Sequence, residues 1–216
     1  MNGRLRAIFA NRQDAGRKLA QTLGAYPGDS AVVYAVPRGG VIVGAEIARL
    51  LGAPLDLVIS RKVGHPVSSE YAIAAVGEDG NAFTNPTEME SVDKDWFDQQ
   101  VRIQQEEAQR RRRIYMRDRS PVNAADKIAI VADDGLATGL TMFAAIEDVR
   151  RRGPRRVVVA VPVAPPETVR KLRLVADEVV VLYSPNDFGS IGSFYSSFDQ
   201  VTDDEVIEAL AQARAL

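Results

Sequence analysis

The strongest constraint on what this chain can fold into is an alternation. Short apolar runs rich in β-branched residues, at 31–36, 55–60, 127–132, 156–163 and 178–183, alternate with segments at 12–23, 41–51, 139–152 and 166–175 in which apolar residues recur at intervals of three and four. Strand, crossover helix, strand, repeated in this way, predicts an α/β fold with a mostly parallel central sheet flanked by helices. At 216 residues and 46% hydrophobic content, a single domain over 1–216 can bury its core without staples. The chain has no cysteine. That removes disulfides, thiolate nucleophiles and cysteine-based metal sites together, and leaves the cytoplasm as the default setting.

Two segments break the alternation. Residues 61–86 gather Gly, Ser, His and Pro around the alternating stretch 71–76, which predicts a mobile lid loop and a short antiparallel ribbon lying over the sheet. Residues 93–116 read as one long charged helix whose run Arg110, Arg111, Arg112, Arg113 follows Glu106 and Glu107. Opposite charges three and four apart stabilise an exposed helix, so the segment is read as solvated, or as facing a second subunit of a homo-oligomer, in preference to an RNA contact. The formal net charge of -2 gives no global drive toward nucleic acid or an anionic membrane. Charges at Arg4, Arg6, Arg12, Asp14, Arg17 and Lys18 interrupt the first 24 residues, and no later stretch approaches the length of a membrane span. Small-molecule chemistry is the better expectation.

The most informative segment is Ile128-Ala129-Ile130-Val131-Ala132-Asp133-Asp134-Gly135-Leu136-Ala137-Thr138-Gly139-Leu140-Thr141, running from a buried strand through two acids into a helix start. In an open parallel sheet, ligands sit beyond the carboxyl ends of the strands, where Asp133 and Asp134 would emerge. Two adjacent carboxylates repel one another and are costly to desolvate unless they face a cation or accept hydrogen bonds from vicinal hydroxyls, such as a ribose diol. The bend from Ala137 through Thr138, Gly139, Leu140 and Thr141 leaves unpaired amides at a helix N-terminus, aimed at an anion such as a 5′-phosphate. An ordinary strand ending in an N-capping Asp explains one acid and one threonine only.

This segment resembles the signature of the type I phosphoribosyltransferases, which bind phosphoribosyl pyrophosphate (PRPP). The resemblance implies that family's fold, with a small hood region in the C-terminal segment at about 184–216 and a mobile lid. It also implies Mg²⁺ brought by PRPP, without a dedicated cluster of protein ligands. The wording Leu136-Ala137-Thr138-Gly139 is similar to that of adenine-type members, whereas hypoxanthine-guanine members carry an aspartate base where this chain has Ala137. Val36-Pro37-Arg38-Gly39-Gly40 resembles the pyrophosphate loop, with Arg38 and the amides of Gly39 and Gly40 as the matching groups. Arg61 and Lys62 stand where family members carry basic residues that close over pyrophosphate, and His65 and Glu70 are further lid candidates. In and just after the segment 184–195, Phe188 is the candidate for stacking on a base, and Phe194, Tyr195 and Phe198 are read equally as stacking faces or as a hydrophobic plug. The stretch Val161-Pro162-Val163 offers no lysine for reading a 6-oxopurine, so the acceptor stays open.

The expected catalytic set is therefore Asp133, Asp134, Arg38 and Lys62, acting on PRPP and a small-molecule acceptor. Two alternatives stand beside it. One is a regulatory protein that keeps the PRPP site as a sensor and uses its basic helix on a partner. The other is a phosphosugar hydrolase that shares the threonine bend but has no need of Arg38.

Overall fold

A computed structural model of the chain describes residues 7–84, 86–117 and 119–213, and of Glu70 only the backbone. In chain order the elements are α1 (Arg12–Thr22), β1 (Ala31–Ala35), α2 (Gly39–Leu51), β2 (Leu55–Leu57), β3 (Ser60–His65), β4 (Ser68–Gly77) and β5 (Ala82–Thr84). There follow α3 (Pro86–Met89), α4 (Lys94–Met116), β6 (Ile128–Ala132), α5 (Leu140–Arg151), β7 (Arg156–Val163), α6 (Pro166–Leu172), β8 (Glu178–Tyr183) and α7 (Asp203–Gln212).

The apolar runs become a five-stranded, wholly parallel sheet in the order β2-β1-β6-β7-β8. Because side chains alternate across each strand, the sheet buries two faces at once. Val32, Tyr34, Val131 and Val159 pack under Met142, Ile146 and Val149 of α5, while Val33, Ile130 and Val158 pack under Leu19 of α1 and Val43 and Ile47 of α2. Each such aliphatic side chain contributes roughly 1.5–3 kcal/mol when fully buried. From β1 the chain passes through α2 to β2 on one side, whereas β6 lies against the other side of β1 and leads on to β7. The strand order thus reverses between β1 and β6, and the crevice beyond their carboxyl ends is where an open α/β sheet places a ligand.

Helix starts follow from their caps. The Asn11 side chain accepts from the Asp14 N–H at α1, Asp93 accepts from Trp96 at α4, and Thr202 with Glu205 forms a capping box at α7. The N-terminal segment is stitched to the far end of the chain: Ile8 and Phe9 N–H groups donate to the Phe194 carbonyl, and Ser196 and Ser197 N–H groups donate back to Phe9 and Ala10.

The lid segment differs from expectation. Residues 61–65, read as loop, continue a strand, and the 61–86 region forms a three-stranded antiparallel sheet, β3-β4-β5, separate from the central one. Arg61, Lys62 and Val63 pair with Val76, Ala75 and Ala74, and Val63 is buried with Ile73, Val76 and Phe97. The polar letters around Val63 hid a half-buried strand. Residues 58–59 also part β2 from β3, where one strand was expected over 55–60. The helix expected over 166–175 ends at Leu172, where the Leu172 carbonyl accepts from both Val175 and Ala176.

Candidate active site

β6 runs out at Ala132, and the next two residues stand at the crevice. Both acids are partly buried. Asp133 turns its Oδ1 back to accept the Asp134 N–H at 2.8 Å. Burial, and next the neighbouring Asp134 charge, push the Asp133 carboxyl well above the usual carboxylate range, with Lys62 acting in the opposite direction. Asp134 Oδ2 accepts from Arg12 Nε at 2.7 Å, and the Asp134 carbonyl accepts the Tyr195 hydroxyl at 2.6 Å.

The loop after β1 closes the other side of the crevice. Its Pro37–Arg38 peptide is cis. A Cβ on Gly39 would lie 1.9 Å from Asp134 Oδ2, and one on Gly40 would lie 2.9 Å from both the Ala132 carbonyl and Asp133 Oδ1. Glycine is required at both positions by the closeness of the acidic doublet. Arg38, half-buried, stands just before α2 without a side-chain cap bond and reaches toward α7, with Nη1 3.6 Å from Asp203 Oδ1.

The bend after the doublet is held from outside. Gly135, at φ 155°, passes so close to Ile191 that a Cβ would meet its Cγ2 at 2.5 Å. The Leu136 N–H donates to the Val163 carbonyl at 2.9 Å, and the Thr168 hydroxyl donates to the Ala137 carbonyl at 2.6 Å. Gly139 takes the left-handed conformation at φ 81°, and α5 begins at Leu140 without a side-chain cap. Ala137 and Thr138 are exposed. The result is a fixed, exposed turn leading into a helix start with no side-chain cap, the kind of helix end that favours an anion. Ser60 Oγ donates to the Thr141 carbonyl at 2.9 Å and so ties this turn to the start of the lid.

Strand geometry divides the lid cations. Because β3 alternates its side chains, Arg61 and Lys62 point to opposite sides. Lys62 is exposed and its charge acts on Asp133, whereas Arg61 turns to α4, where its Nε donates to Gln104 Oε1 at 3.2 Å. His65 sits at the hairpin tip, its Nδ1 accepting from the Val67 N–H at 3.2 Å. The Glu70 side chain lies outside the described residues. Phe188 is half-buried with its ring 5.3 Å from Phe194, while Phe194 and Tyr195 are buried against Phe9 and Val163 as a plug.

The structure brings Asp133, Asp134, Gly39 and Gly40 to one crevice, with the Thr138 bend continuing from it and the Lys62 charge acting on Asp133. Arg12 was missed as a site residue. Its partner Asp134 is 122 positions away in the chain, and nothing near residue 12 marks it as more than an N-terminal charge. Phe198, whose ring carries the Arg12 guanidinium 3.8 Å from its centroid, was read as a base-stacking or plug residue, with no link to Arg12.

A parallel sheet with two acids and an uncapped helix start at its switch point defines an α/β protein with a candidate ligand site at the carboxyl ends of its strands. Residues 4–192 match the family model described as the phosphoribosyl transferase domain, and the chain belongs to that family. A Mycobacterium tuberculosis protein, named provisionally as a phosphoribosyl transferase, is 41% identical over 208 residues, covering 95% of this chain. The match takes in 47% of that protein, so the chain spans about half the length of this relative. The crystal structure of TT1426 from Thermus thermophilus superposes with a TM-score of 0.81 at 41% identity, covering 94% of this chain and 98% of that one.

Proposed function

We propose that the chain transfers ribose 5-phosphate from PRPP to a nitrogenous acceptor, a nucleobase in the first instance, and releases pyrophosphate. The observation that carries the reading is the contact between the two loops. Gly39 and Gly40 pack directly on Asp134 and Asp133, and the exposed Thr138 turn continues from the same strand end. One PRPP molecule needs all three features together, a diol site flanked by a pyrophosphate loop and a 5′-phosphate turn.

In this reading Asp133 and Asp134 accept hydrogen bonds from the ribose hydroxyls, and the amides and hydroxyls from Ala137 to Thr141 hold the 5′-phosphate. Arg38, Lys62 and the Gly39 and Gly40 amides take the pyrophosphate, with His65 and Arg61 on the hairpin behind it. The C1–O bond breaks with its electron pair leaving on pyrophosphate, the acceptor nitrogen supplies the pair for the new C1–N bond, and the acceptor's N–H proton is released to solvent. Fixed donors aimed at the departing anion lower the barrier, because they need no reorganisation as charge develops. Arg38 would leave Asp203 for the substrate. Phe188 is the proposed stacking face for the acceptor.

Among the described residues no group of three or more His, Asp or Glu side chains could hold a metal. The hard oxygens of the adjacent Asp133 and Asp134 carboxylates suit Mg²⁺ held chiefly by substrate oxygens and water. Bound with PRPP, Mg²⁺ supplies charge neutralisation on the leaving group. Among the described residues no helix is long and apolar enough to cross a membrane, and the proposed setting is the cytoplasm.

The sensor alternative draws on Ala137, which leaves no carboxylate where some family members keep a base. Its nucleic-acid helix is weakened by the pairing along α4: Arg110 and Arg111 both bond Glu107, and Arg112 reaches inward to Asp56 and Glu78. A pyrophosphate-release screen with PRPP, Mg²⁺ and a panel of purines, pyrimidines and amines separates the readings. Turnover with one member, abolished by Asp134→Asn, supports the transferase; PRPP binding without turnover on any member supports the sensor.

A further inference from the structure

The reaction as assigned gives Arg12 no task, yet three different groups fix its guanidinium. Nε donates to Asp134 Oδ2 at 2.7 Å, Nη1 donates to the Asp199 carbonyl at 2.7 Å, and the planar face lies 3.8 Å from the centre of the Phe198 ring. The Arg12 side chain is 12% exposed and that of Asp134 14%. Immobilising a long side chain is entropically unfavourable, and an exposed ion pair alone rarely offsets it. Here a charge-assisted hydrogen bond, a second hydrogen bond and a stacked ring share one rigid plane, an arrangement open to arginine and closed to lysine.

We infer that Arg12 is a positioning residue that couples the sugar site to the hood, by joining the Asp134 carboxylate to Phe198 and Asp199. The inference rests on the reading that Asp134 takes the ribose diol. The hood holds Asp134 at two points, through Arg12 at the carboxylate and through the Tyr195 hydroxyl at the carbonyl. A diol that donates to the same carboxylate changes what Arg12 can draw from it, and the change passes to the hood segment that Arg12 also grips. The pyrophosphate loop shares the contact, since a Cβ on Gly39 would lie 1.9 Å from Asp134 Oδ2 and 2.9 Å from Arg12 Nε. Coupling of this kind is reciprocal, so a set hood favours PRPP as much as PRPP favours a set hood. The acceptor then meets its site already formed once PRPP has bound.

Two amides report on the hood directly. The Ser196 and Ser197 N–H groups donate to Phe9 and Ala10 at 2.8 and 3.0 Å, just ahead of Arg12 in the chain. Their hydrogen exchange is measured with and without Mg–PRPP in the wild type, Arg12→Met and Arg12→Lys, with Mg–PRPP affinity taken by calorimetry in parallel. In the wild type PRPP raises the protection of both amides by about 5- to 150-fold. Arg12→Met lowers PRPP affinity by about tenfold to a hundredfold and abolishes the PRPP-linked change. Arg12→Lys recovers part of the affinity without the change, because an ammonium cannot replace both donors and the stack. A purely structural Arg12 would instead lower protection equally with and without PRPP. A wild type that binds PRPP with no change at Ser196 and Ser197, or a Met variant with wild-type affinity and the wild-type change, overturns the inference alone. A wild type that does not bind Mg–PRPP overturns the diol assignment and this inference with it. Should the Met variant not fold, the wild type and the Lys variant decide the matter.

Discussion

Asp133 is held where its charge is least welcome, behind the Gly40 backbone and beside a second carboxylate. Its carboxyl is raised above the ordinary value of 3.8, by burial first and by Asp134 next. A raised acid penalises the folded state whenever it is ionised. The penalty is therefore full above its folded pKa, and it fades as pH falls through the window between that raised value and 3.8. Asp133→Asn keeps an oxygen for the Asp134 N–H and removes the charge. The variant is expected to melt higher than the wild type at pH 7, with the gap closing as the pH approaches 4, as thermal unfolding across that range would check. A lower melting temperature at pH 7 would mean that the doublet is not under electrostatic strain. Gly39→Ala tests the opposite wall. Its methyl must displace the Asp134 carboxylate, so PRPP affinity should drop by about tenfold or more in a calorimetric titration while the circular dichroism of the fold is kept. The placement of these two residues at the carboxyl ends of strands was readable from the sequence, because apolar runs end just before each of them.

At the scale of elements, α4 is the support of the lid sheet. Gln105 and Gln109 side chains donate to the Glu78 carbonyl at the end of β4, Gln104 accepts from Arg61 on β3, and Arg112 bridges Glu78 to the fully buried Asp56 of β2. Asp56 also accepts the N–H groups of Leu57 and Val122, so its charge is completely satisfied. Removing Asp56 takes one of two carboxylates from Arg112 and leaves the Leu57 and Val122 N–H groups without this acceptor. Asp56→Ala is expected to destabilise the fold by about 3–5 kcal/mol, measured by urea unfolding; a loss below about 1 kcal/mol, the level of an exposed pair, would contradict the network. The sequence showed α4 as a charged helix through its spacing of opposite charges, but not that Arg112 faces inward, because a run of four arginines carries no sign of which one is buried. The lid strand was hidden for a related reason. Arg61 and Lys62 look alike in sequence, and only the pairing of β3 with β4 shows that they serve opposite faces.

At the scale of the molecule, the site exists because the strand order reverses between β1 and β6. That reversal lets a loop from residue 37 and a loop from residue 133 meet, and the parallel sheet itself was legible from the five apolar runs. What could not be read was the closure of the chain upon itself, in which Phe9 and Arg12 from one end meet Tyr195, Phe198 and Asp199 from the other. Such contacts leave no local pattern. A ligand that spans these parts should stabilise the whole. Mg–PRPP at about 100 times its Kd is expected to raise the melting temperature by about 5–10 °C, and pyrophosphate, which engages only one loop, by less at the same concentration.

On the proposed function, the acidic doublet and the turn after it hold one PRPP molecule. Calorimetric titration of Mg–PRPP into the wild type, Asp133→Asn and Asp134→Asn tests it most directly. Saturable binding at a single site is expected in the wild type, with a loss of about tenfold or more in each variant. Wild-type affinity in both variants, or no heat of binding in the folded wild type, would contradict it.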